Sequence, residues 1–122
     1  MSPIHQLTNQ KTHSEFSSTA ESTGNPTVLY VSNCHLPACK TFTPKYTQLA
    51  DRYVEQITFA QMELTAETSM LFKFAPNQLP VLTLMCRQSE RKGGMMWAKT
   101  VMGADMAELE RGIEEMLGRA GR

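Results

Sequence analysis

"VLYVSNCHLPACKTFTP", residues 28–44, decides how the rest of this chain is read. Its opening belongs to Thr27–Ser32, which is β-branched and aromatic with no polar alternation. That pattern fits a central strand buried on both faces. A helix is expected from about Ala38 to Tyr53, because Phe42, Tyr46, Leu49 and Tyr53 recur at the spacing of one helical face. Pro44 falls inside it, removes a backbone donor and should kink it. Between strand and helix lie two thiols, Cys34 and Cys39, with His35 and Pro37 between them. They could form a redox centre, a metal site or neither.

Working outward, Ile4–Leu7 reads as a short first strand. "THSE", residues 12–15, matches a capping box with Thr12 as the cap and Glu15 reaching back. A short helix should follow and fray in "STGNP", residues 22–26. "ITFAQMEL", residues 57–64, is a second buried strand, and "AETSMLFKF", residues 66–74, is a short helix ended before Pro76. A third strand, 81–86, follows Pro80. "SERKGG" then signals a turn, and "MMWAKTV", 95–101, pairs back as a hairpin. Asp105 and Glu108 cap a last helix whose buried face is Met106, Leu109, Ile113 and Met116, stopped at Gly118. Strands alternating with helices imply parallel pairing, and the closing hairpin adds an antiparallel edge. The expected fold is α/β: one domain over 1–122, with a mixed sheet of four to five strands and helices on both faces.

The bulk properties exclude several roles. A length of 122 residues with 41% hydrophobic residues suits one packed core and not a disordered chain. Lys plus Arg equals Asp plus Glu at 12 each, so nothing draws the chain to nucleic acid or to an acidic membrane. No apolar run is long enough to span a bilayer, and the N-terminal stretch lacks a signal core. A cytoplasmic location is expected. The three cysteines are too few for a disulfide scaffold.

Taken together, "ACKTFTPKY", "QLPVLTL" and Gly103 make the chain resemble the thioredoxin family over nearly its whole length. Members carry a strand ending in Trp-Cys-Gly-Pro-Cys-Lys, with a proline five residues after the second cysteine. Cys39, Lys40 and Pro44 stand at that spacing. Pro80 takes the place of the family's cis-proline, and Gly103 precedes the last helix where the family often has a glycine. The resemblance implies the thioredoxin fold and no cofactor.

The departures from the family pattern matter more for function. Ungapped, His35 stands at the family's tryptophan and Leu36 at its attacking cysteine, with Pro37 and Ala38 at the Gly and Pro places. Tyr30 falls where members hold a buried Asp that moves protons to and from the resolving thiol. An alkyl group cannot attack a disulfide, so the usual two-cysteine cycle is not available as written. Two readings stay open. In one, the chain is a peptide- or partner-binding or redox-regulatory module that contacts its partner through His35, Leu36, Pro37, Leu79 and Pro80. The backbone of Leu79 would pair with an extended peptide. The groove's apolar character also admits a homodimer through the same surface.

In the other reading, Cys34 and Cys39 act as the catalytic pair of an atypical thiol–disulfide oxidoreductase with a Cys-x4-Cys spacing. Bridging would need Cα atoms within about 7 Å and some unwinding of the helix start. Cys39 alone reads more simply as a buried core thiol, and Tyr30 as a core aromatic whose hydroxyl finds a partner. Cys34, His35 and Cys39 lack a fourth ligand nearby in sequence, so no metal is expected.

Overall fold

The structure, a computed structural model, describes residues 4–33, 36–64, 79–103 and 105–121. In chain order the elements are β1 (Ile4–Leu7), α1 (Gln10–Thr23), β2 (Thr27–Ser32), α2 (Pro37–Arg52), β3 (Thr58–Glu63), β4 (Val81–Arg87), β5 (Met96–Met102) and α3 (Met106–Arg119). A short 3-10 turn, Glu90–Lys92, joins β4 to β5. The helix expected over residues 66–74 lies outside the described residues.

The five strands form one sheet in the order β1-β3-β2-β4-β5. β1 and β2 run parallel to β3, while β4 runs antiparallel to β2 and β5 antiparallel to β4. This is the thioredoxin fold expected from the sequence. β2 lies at the centre and all six of its residues are buried, as its unbroken apolar and hydroxyl run requires.

Because side chains alternate across a strand, β2 feeds two cores. Val28 and Tyr30 join Phe59, Leu82, Leu84 and Cys86 on one face, under Phe42, Tyr46 and Leu49 of α2 and Leu109, Ile113 and Met116 of α3. Leu29 and Val31 join Ala60, Met62 and Val81 on the other, where Phe16 of α1 packs. α3 sits close on β4: a Cβ added at Gly112 would lie 3.1 Å from Cδ2 of Leu84.

Two helix boundaries differ from expectation. The N-cap of α1 is Asn9, not Thr12: the Asn9 side chain accepts from the Thr12 amide at 2.9 Å, and the Thr12 hydroxyl accepts from the Asn9 amide at 3.1 Å. Thr12 is thus the third helical residue of the box, returning the cap that Glu15 was expected to give. The helix runs 14 residues and ends within residues 22–26 as expected, at a left-handed Gly24 with φ 69°. At the other end of the chain, α3 continues through Gly118 to Arg119. A glycine within a helix costs only about 1 kcal/mol, and the buried face of this one outweighs that.

Asp105 caps α3 as expected, accepting from the Glu108 amide at 3.0 Å. Glu108 in turn ties α3 to the sheet edge. It meets Lys99 of β5 at 2.9 Å and Arg111 at 2.6 Å. The Lys99 hydrogen bond, followed by that of Arg111, holds the Glu108 carboxyl down at about 2.

Candidate functional site

The pairing Val31↔Val81 brings the end of β2 beside the start of β4. The turn leaving β2 and the Leu79–Pro80 step therefore lie next to each other at one end of the sheet. The Leu79–Pro80 peptide bond is cis. α2 starts from the same end. Leu36 is its N-cap, with extended backbone and no side-chain cap bond, and Pro37 is the first helical residue, where its missing N–H costs nothing.

Cys39 follows in the first turn and is only 1% exposed. Its Sγ accepts a hydrogen bond from the Asn33 amide at 3.5 Å. Leu36, half-buried, packs against the apolar cluster that contains Cys39, Leu79 and Val81. The structure thus brings together Leu36, Cys39 and Leu79, with Pro80 buried beside them and Pro37 exposed at the rim. Leu79 is 5% exposed, and its side chain is part of the wall. Among the described residues, the Leu79 amide and carbonyl have no hydrogen-bond partner. Cys34 and His35 lie outside the described residues, as does any pairing of Cys34 with Cys39.

Beneath this surface the sequence signalled Tyr30 but missed its partner. The Tyr30 hydroxyl lies 3.2 Å from the Cys39 carbonyl and 3.0 Å from the Thr43 hydroxyl. Thr43 itself donates to the Cys39 carbonyl at 2.8 Å. A threonine four residues after Cys39 on a helix is the available signal, since such hydroxyls bond back to the carbonyl one turn earlier. Pro44 follows immediately, and α2 runs on through it. Cys86, on β4, is buried and its thiol donates to the Met116 carbonyl at 3.6 Å. Among the described residues, no three His, Cys, Asp or Glu side chains gather as metal ligands, and no helix is long and apolar enough to cross a membrane.

Burial, the leading cause, pushes the Tyr30 phenol up to about 12. Tyr46 beside it is raised well above its usual value, again by burial first. Both phenols are favoured neutral in the fold. Their contribution to stability is therefore intact below the ordinary value near 10 and declines as pH rises towards about 12. Urea unfolding followed across that window should show the loss, coincident with phenolate absorbance. Tyr30→Phe should remove part of the slope, and an unchanged slope would show that Tyr30 does not titrate with unfolding.

The thioredoxin family model matches residues 7–114. No curated protein sequence matches the chain. Among solved structures, the thioredoxin of Trichomonas vaginalis is similar at a TM-score of 0.72 and 13% identity, covering 94% of this chain and 98% of that one. Thioredoxin O1 of Arabidopsis thaliana in its oxidized state has a TM-score of 0.72 at 20% identity, with 92% and 96% covered. A poplar thioredoxin h gives 0.70 at 20% identity, with 94% and 96% covered. At these identities the structures speak for the fold, and the match over residues 7–114 speaks for descent: this chain belongs to the thioredoxin family.

Proposed function

We propose that the chain is a thioredoxin-fold module that binds an extended peptide or protein segment at the end of the sheet and does not run the family's two-cysteine cycle. The observation that carries this reading is Leu36. It is the residue from which α2 starts, three positions before the buried Cys39, and it packs an alkyl group into the cluster formed with Leu79. That is the place where the family resemblance puts the attacking sulfur. The alkyl group of Leu36 cannot supply an attacking thiolate at the N-cap of α2.

Two further features support binding over turnover. The Leu79 backbone offers a donor and an acceptor with no partner among the described residues, which suits pairing with an added strand. Tyr30 puts a phenol where the family resemblance places a carboxylate, and burial raises it to about 12 and keeps it protonated at neutral pH.

The test has two arms. In insulin-disulfide reduction driven by dithiothreitol, the wild-type chain should give no rate above the reagent alone. Turnover that disappears in both Cys34→Ser and Cys39→Ser would overturn the reading in favour of the Cys-x4-Cys oxidoreductase. In selection from a random peptide library, binders should shift the amide signals of Leu36, Leu79 and Val81, and Leu36→Asp should weaken them at least about 10-fold by placing an unpaired charge on an apolar contact. Binders that leave these signals unmoved would place recognition elsewhere.

A further inference from the structure

The far edge of the sheet presents a second surface, remote from Leu36 in the strand order. β5 is the terminal strand among the described residues. The main-chain bonds at the two ends of its ladder run from the Gln88 amide to the Met95 carbonyl and from the Gly103 amide to the Pro80 carbonyl, both 2.8 Å. In the register that pairs Cys86 with Trp97, these bonds fix the odd-numbered residues of β5 as those bonded to β4. Met96, Ala98, Thr100 and Met102 therefore aim their N–H and C=O groups away from the sheet, where no described residue receives them.

Sheet edges are normally blunted by shortness, proline, bulges or outward charge. β5 is seven residues long, with no proline and no bulge. Its outward-bonding residues are uncharged and all exposed, Met102 at 53%. The strand's single charge, Lys99, lies on the other face and is held by Glu108 at 2.9 Å. The opposite edge, β1, has only four residues.

We propose that this edge pairs antiparallel with β5 of a second copy of the chain about a two-fold axis at Ala98. The register follows from chemistry. Residues whose main chain points outward must meet their like, which restricts the axis to a position on the strand and not between two residues. An axis at Lys99 would set two ammonium groups opposite each other. An axis at Ala98 sets the two small side chains together, Met96 against Thr100, and Trp97 against the alkyl stem of Lys99, whose ammonium stays on Glu108. The chain's charges balance at 12 and 12, so two copies meet without net repulsion. A ladder of five residues from each copy, 96–100, is a small interface, so association in the range of about 10–100 µM is expected.

Sedimentation velocity from about 5 µM to about 1 mM should show the mass rise from one chain to two across that range. Over the same range, amide exchange should slow at Met96, Ala98 and Thr100 but stay unchanged at Trp97 and Lys99, whose amides already face β4. Thr100→Pro removes an outward donor and no bond to β4, an edge position that tolerates proline. Ala98→Lys puts two like charges at the axis. Both variants should keep the wild-type circular dichroism and remain single chains at the highest concentration, whereas Leu36→Asp should dimerise as wild type does. A single-chain mass throughout, a dimer without the alternating exchange pattern, or a dimer lost in Leu36→Asp but kept in Thr100→Pro would each overturn the proposal.

Discussion

Leu36→Cys is expected to reduce insulin at least about 10-fold faster than either the wild-type chain or dithiothreitol alone. The reasoning is positional. Leu36 stands at the N-cap of α2, where unbonded backbone amides favour negative charge, and Pro37 already fixes the first turn. A sulfur placed there would gain thiolate character and sit one helical turn from Cys39, whose Sγ is held by the Asn33 amide at 3.5 Å. The gain should stop short of a fully equipped enzyme by about 10²-fold, because Tyr30 supplies a phenol where proton transfer calls for a carboxylate. Mass mapping of the introduced thiol bonded to Cys39 after mild oxidation checks the geometry separately from the rate. A folded variant that forms that bond yet shows no turnover would mean that a thiol at position 36 is not enough for the cycle.

Much of this arrangement was legible in the sequence, and the reasons are specific. β2 could be read because a run of six buried residues has no polar alternation to confuse it with a surface strand. α2 could be read because Phe42, Tyr46 and Leu49 hold one face through Pro44, and all three are buried. The start of α1 was misplaced because Thr12 looks like a cap from its neighbours downstream, whereas Asn9 three residues earlier completes the box from the other side. Capping boxes are short and overlapping, and only the hydrogen bonds choose between them. Gly118 misled for a related reason: a glycine ends a helix only where the backbone turns left-handed, and here that residue is Gly121, at φ 80°. At the site, the places of Leu36, Cys39 and Pro80 followed from motif spacing, but Thr43 did not. Its role exists only because Tyr30 arrives from another strand to share the Cys39 carbonyl, a tertiary fact with no local signature.

Tyr46→Ala should be the most damaging single truncation for stability, costing about 3–5 kcal/mol. Tyr46 is fully buried, and its ring lies 4.7 Å from that of Tyr30 and 5.7 Å, edge-on, from that of Phe59. Its hydroxyl donates to the Ala60 carbonyl at 2.8 Å and also lies 3.3 Å from the Val28 carbonyl. One side chain thus fastens α2 to both β2 and β3. Removing it opens a cavity beneath the helix and leaves Tyr30 without a wall on that side. Small domains have about 5–15 kcal/mol in all, so the truncation removes a substantial share of the margin and should lower the unfolding midpoint markedly. Tyr46→Phe separates the contributions: keeping the ring and losing the hydroxyl should cost only about 1–2 kcal/mol. Urea unfolding monitored by circular dichroism gives both numbers, and amide exchange at Cys39 and Lys40 reads whether the start of α2 loosens with the ring. If Ala and Phe cost the same, the ring is not the fastening. If Ala costs less than about 1 kcal/mol, the helix is held by Phe42 and Leu49 alone.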